Sequence, residues 1–67
     1  LNKKEMNKLD SLEKCINWHI SNCEFYKETA AEKSDVEAMI NFEQTLWRLR
    51  DILEHCEKLK STSINPP

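Results

Sequence analysis

No glycine occurs anywhere in this chain of 67 residues, and its two prolines, Pro66 and Pro67, stand at the very end. Tight turns between strands depend on glycine at left-handed positions, so a sheet would lack its usual connections. Helix interiors, in contrast, run unbroken where neither glycine nor proline intervenes. The expected fold is all-α. Apolar residues make up 39% and charged residues 33%, a balance that excludes compositional disorder. The length allows one small domain. No apolar run approaches the roughly 18 residues of a membrane span, and nothing reads as a secretory signal.

Apolar residues recur at steps of three and four from Met6 through Leu9, Leu12, Ile16 and Ile20 to Cys23, the spacing of one helix face. This predicts a helix over 4–31, with Asp10 and Lys14 as an i,i+4 pair on its wet side. In the stretch EKSDVEAM that follows, Ser34 and Glu37 fit a capping box, and Asp35 adds negative charge where a helix dipole is positive. A turn is expected over 32–34 and a second helix over 35–60. There Met39, Phe42, Leu46, Leu49, Leu53 and Cys56 form a heptad series. Ile52 and Leu59 widen that stripe on one side, and Val36, Ile40 and Trp47 on the other. Glu54 and Lys58 stand in the favoured ion-pair order. The pattern stops after Lys60, and 61–67 reads as a flexible tail. One continuous helix is the alternative, but such a rod would need a partner along its whole length. The expected unit is an antiparallel two-helix hairpin over 1–60.

Folding back near Lys33 pairs residues whose numbers sum to about 66. Leu12 then lies level with Leu53, Ile16 with Leu49 or Arg50, His19 with Trp47, and Cys23 with Phe42. One seam hides only a narrow stripe on each helix. Trp18 and Phe25, seven residues apart, form a row on the side of the first helix facing away from it. A unit this small and free of disulfides falls below the size at which one core usually suffices. The hairpin is therefore expected to associate, most simply as a homodimer forming a four-helix bundle, or with another protein. Trp18, Phe25, Ile40 and Trp47 are the candidate interface residues.

Cys15, His19 and Cys23 invite a metal reading, since all three are metal-binding types on one helix. They stand one turn apart, about 6 Å per step, whereas zinc needs ligand atoms within about 2.3 Å. His55 and Cys56 lie more than a turn from Cys15 in the expected register. Cys15 and Cys23 are read as small core residues, and neither metal nor cofactor is expected. The stretch RDILEH, residues 50–55, resembles the R-x4-H motif of the HEPN ribonucleases, helical proteins that dimerise to build an active site. That resemblance implies Arg50 and His55 as its carriers. On one helix they point about 140° apart, so they are read as solvated polar residues. No nucleophile triad or phosphate-cradling loop is present, and no enzyme activity is expected.

The leading function class is a non-catalytic protein–protein interaction or regulatory module acting through exposed apolar helix faces. Ten Lys and Arg stand against twelve Asp and Glu, a net charge of −2 that gives no field to gather phosphates. Nucleic-acid binding is the alternative. In shape alone the expected hairpin is similar to the Rop family of plasmid copy-number regulators, which dimerise and bind paired RNA loops. Lys3, Lys4 and Lys8 would form its weak basic end. A third class, a structural segment of a larger helical assembly, stays open because the chain begins at Leu1. Three cysteines, an odd number, favour reduced thiols and a cytoplasmic location.

Overall fold

The chain forms two helices, α1 (Lys3–Glu32) and α2 (Val36–Ile64), folded back on one another as an antiparallel hairpin. This computed structural model describes the backbone of residues 2–64 and the side chains of 2–62. α1 starts at Lys3 because Asn2 caps it: its side-chain oxygen accepts the Glu5 backbone N–H at 2.8 Å. α2 continues over 61–64, past the last apolar position of the heptad pattern. No proline stops it there, and the Thr62 hydroxyl donates back to the Lys58 carbonyl at 2.9 Å. Of the expected tail, 65–67 lie outside the described residues.

The turn departs from the capping box read in the sequence. Ser34 does not cap α2; it occupies the left-handed region with φ 57°. Lys33 closes α1, the Ser34 N–H donates to the Ala31 carbonyl at 3.0 Å, and the Asp35 N–H donates to the Ala30 carbonyl at 2.9 Å. These two bonds make a Schellman closure, whose left-handed residue is usually glycine. A chain without glycine puts serine there, at a conformational cost of about 1–2 kcal/mol. Asp35 then serves both helices. Its backbone N–H ends α1, while its carboxylate accepts the Ala38 N–H at 3.1 Å and caps α2.

Because the turn centres on Ser34, the register moves. Partner numbers sum to 68 for Tyr26 with Phe42 and to 70 for Lys27 with Glu43, where a turn centred on Lys33 had predicted 66. Phe42 therefore stacks on Tyr26, with ring centroids 6.0 Å apart, one turn from the expected Cys23. Among the described residues, Ile16, Ala30, Leu46 and Cys56 are buried, and Leu46 alone is essentially sealed at 1% exposure. Inter-helix ion pairs flank the seam near both ends: Lys27 with Glu43 toward the turn, and Lys60 with both Asp10 and Glu13 toward the open end. Glu54 and Lys58 pair along α2 at 3.2 Å, as their spacing predicts.

The result is a slab one helix thick, with extents of 52 × 17 × 10 Å. Its radius of gyration is 15.5 Å, against roughly 11 Å for a compact domain of this length. Such a layer has two broad faces and little interior.

Candidate protein-interaction surface

Val36, Ile40 and Trp47 follow one another along a flank of α2, spaced to share one side of the helix. All three are exposed, Ile40 at 53% and Trp47 at 69%. With Met39, Glu43 and Lys27 they line a shallow groove of about 460 Å³. The Trp47 Nε1–H donates to Glu43 Oε1 at 3.0 Å, and the Lys27 ammonium from α1 pairs with the other carboxylate oxygen. Lys27 first, and Trp47 second, hold the Glu43 carboxyl below its ordinary value of 4.5. The indole is thus tethered one turn from its root with its polar atom satisfied. What it offers a partner is an apolar ring that is already ordered.

Trp18 and Phe25 stand on α1, exposed at 63% and 64%. Trp18 meets His19 edge-on at 5.0 Å, and Phe25 meets Tyr26 edge-on at 5.6 Å. Tyr26 is itself half-exposed where it stacks on Phe42. None of these α1 aromatics reaches the groove of Ile40 and Trp47. The four expected interface residues therefore form two separate surfaces.

A third apolar area was not singled out from the sequence. Toward the open end, Leu9 and Leu12 of α1 share a groove with Ile52, Cys56 and Leu59 of α2. Leu12, expected in the seam against Leu53, lies nearly half exposed beside Cys56 instead. The signal available was the widening of the α2 stripe by Ile52 and Leu59. Beside this groove the Lys60 ammonium sits between Asp10 and Glu13, 2.7 Å from Glu13 Oε1. Asp10 first, and Glu13 second, push its pKa above the ordinary lysine value of 10.5.

The chemistry-bearing residues do not converge. Cys15 is exposed, Cys23 half-buried and Cys56 buried, all as free thiols. Among the described residues, no three His, Cys, Asp or Glu side chains gather to hold a metal ion. Arg50 lines a groove with Glu24 and Lys27, whereas His55 lies by Cys56 and Leu59 in another. Within one chain the R-x4-H pair is split between them. No family model matches this chain, and no curated protein or solved structure matches it. Among the described residues, no helix is long and apolar enough to cross a membrane. What the hairpin does present is apolar surface, carried on helices that hold it in fixed positions.

Proposed function

We propose that this chain is a small non-catalytic protein–protein interaction module, a regulator or adaptor that works by presenting apolar helix faces. One observation carries the reading: among the described residues, nine large apolar side chains are exposed, while only four apolar residues are buried. The chain exposes 5444 Å², about 1,000 Å² more than the ~4,450 Å² typical of a folded protein of its 8.0 kDa mass. That surplus compares with the ~800 Å² each partner contributes to an ordinary specific interface. The association it supports is a two-fold dimer that completes a four-helix bundle. Trp18, Phe25, Ile40 and Trp47 are the anchors for self-association or for another protein, since large aromatics dominate interface energetics. The free thiols support a reducing, cytoplasmic setting.

Sedimentation equilibrium on the whole chain tests the reading. The expected mass is twice 8.0 kDa, and Trp18→Ala is expected to leave the far-ultraviolet circular dichroism intact while raising the dimer dissociation constant several-fold. A wild-type mass of one chain at every concentration would remove the dimer. An unchanged dissociation constant in the variant would remove Trp18 as an anchor.

A further inference from the structure

Spacing by threes and fours picks out a second pattern, defined by missing charge rather than by apolarity. On α1 it runs Leu12, Cys15, His19, Asn22, Tyr26; on α2 it runs Phe42, Thr45, Leu49, Ile52, Cys56, Leu59. Neither stripe holds a Lys, Arg, Asp or Glu, although at the chain's 33% such positions would include three or four. The two stripes lie on the same face of the slab. At the closed end Tyr26 stacks on Phe42, and at the open end Leu12 shares a groove with Ile52, Cys56 and Leu59, where Asp51, Glu54 and Lys58 of α2 form its charged margin. The opposite face carries the Lys27 and Glu43 pair, with Glu24 and Arg50 beside it. Trp47 also belongs there: it is two positions from both Thr45 and Leu49, about 200° around the helix from each.

Most of this uncharged face is open to solvent in the single hairpin. Cys15, His19 and Thr45 are exposed, as are Leu12, Tyr26, Ile52 and Leu59. Interface cores are depleted of charge in this way, whereas a face built for solvent is not. The stripes run about 26 Å along the helices, the middle half of a hairpin face whose full 52 × 17 Å is roughly 900 Å², close to the ~800 Å² each partner gives to a stable complex.

We propose that a second copy of this chain covers the uncharged face, packed end-for-end about a two-fold axis that crosses the helices at His19. This rests on the association proposed above and names the face that makes it. A two-fold interface must match itself, and both stripes mirror about one level. On α1, Leu12 and Tyr26 are equidistant from His19. On α2, Phe42 pairs with Leu59, Thr45 with Cys56, and Leu49 with Ile52, about a midpoint that the observed register sets level with residues 17 to 20 of α1, within about a turn of His19. End-for-end packing sets the Tyr26 and Phe42 rings of one copy on the aliphatic side chains of the other. Packing with both turns at the same end would heap four aromatic rings there and leave the open end thin, against the alternation of large and small that fills a bundle core. Trp18 and Phe25, one step around from His19 and Tyr26, rim the contact. Ile40 and Trp47 face away from it, which leaves their groove to another protein and not to self-association.

The test places one charged residue on each face of the whole chain, at positions exposed in the single hairpin. Thr45→Glu is expected to raise the dimer dissociation constant at least tenfold by sedimentation equilibrium. Asn17→Glu, on the opposite face about 200° from Cys15 and from His19, is expected to change it less than twofold. The reverse order would overturn the proposed face and leave the dimer itself standing. A wild-type protein of 8.0 kDa at every concentration would overturn both. A second measurement fixes the packing and does not depend on whether Thr45→Glu folds. With the native cysteines changed to alanine, His19→Cys is expected to form a covalent dimer on mild oxidation, because the axis brings the two copies of position 19 together. Phe25→Cys in the same background is expected to stay single. A non-covalent dimer that cross-links through Phe25→Cys and not His19→Cys would overturn the end-for-end arrangement.

Discussion

At the closed end of the hairpin the backbone makes the join. Two N–H groups from Ser34 and Asp35 return to α1 carbonyls, the Asp35 carboxylate caps α2, and Tyr26 lies on Phe42 just beyond. At the open end no covalent turn helps, and the helices meet through Cys56 beside Leu12 and through Lys60 between two carboxylates. The closed end is secured by local bonds that form as soon as the turn does. The open end is held by side chains brought together over long sequence separation, and its apolar groove is partly uncovered. The difference teaches that a thin hairpin is robust where the chain reverses and depends on charge pairs and long-range side-chain contacts where it opens.

The largest expected effect removes what both ends share. Among the described residues Leu46 is the one sealed side chain, and Leu46→Ala is expected to cost about 3 kcal/mol, at the usual scale for core truncation. Loss of the cooperative thermal transition would confirm it; a shift of only a degree or two would show that Leu46 is not the joint. Next comes the closed end alone. Asp35→Ala removes the cap on Ala38 and is expected to cost ~1 kcal/mol. Hydrogen exchange should quicken in the first turn of α2 before it changes at 55–62; equal acceleration at both ends would erase the difference between them. A smaller change, of opposite sign, is expected from Ser34→Gly. Relieving the left-handed serine should stabilise by ~0.5–1 kcal/mol, and a lowered melting temperature would contradict the strain assigned to it.

The smallest effect is electrostatic. The Glu43 carboxyl is lower in the folded state than its ordinary 4.5. Its contribution is therefore present above that pH and is lost as pH falls through the folded value. In a Trp18→Phe background, Trp47 fluorescence should show an acid transition with its midpoint below 4.5, and Glu43→Gln should abolish it. The Lys60 pKa is raised, so its contribution at the open end persists through neutral pH and fades only in strong alkali, above the ordinary lysine value of 10.5.

Much of this architecture is legible in the sequence. The missing glycine predicts helices, and the apolar spacing predicts two of them reversing near 33. The exact join is not legible, because Ser34 and Asp35 each begin a capping pattern and a serine in a left-handed position carries no local signature. That ambiguity of one residue propagates through the register by two, which is why Leu12 lies beside Cys56 and not in the expected seam against Leu53. Lys27 with Glu43 and Lys60 with Asp10 are separated by 16 and 50 residues, and nothing along the chain links them. Of the four expected surface anchors, two fall on each of two faces. Tyr26 is absent from the apolar series because its ring behaves as apolar while its hydroxyl does not. The uncharged face is written in the sequence as missing charge, which apolar spacing does not reveal because Asn22 and Thr45 belong to it.

A body only one helix thick has a calorimetric consequence. With so few side chains withdrawn from water, unfolding one hairpin uncovers little additional hydrocarbon, and the accompanying heat-capacity step is correspondingly small. Its stability curve is then shallow, with neither a sharp optimum nor a steep loss on cooling, and any pronounced curvature measured for this protein reports hydrocarbon hidden between molecules.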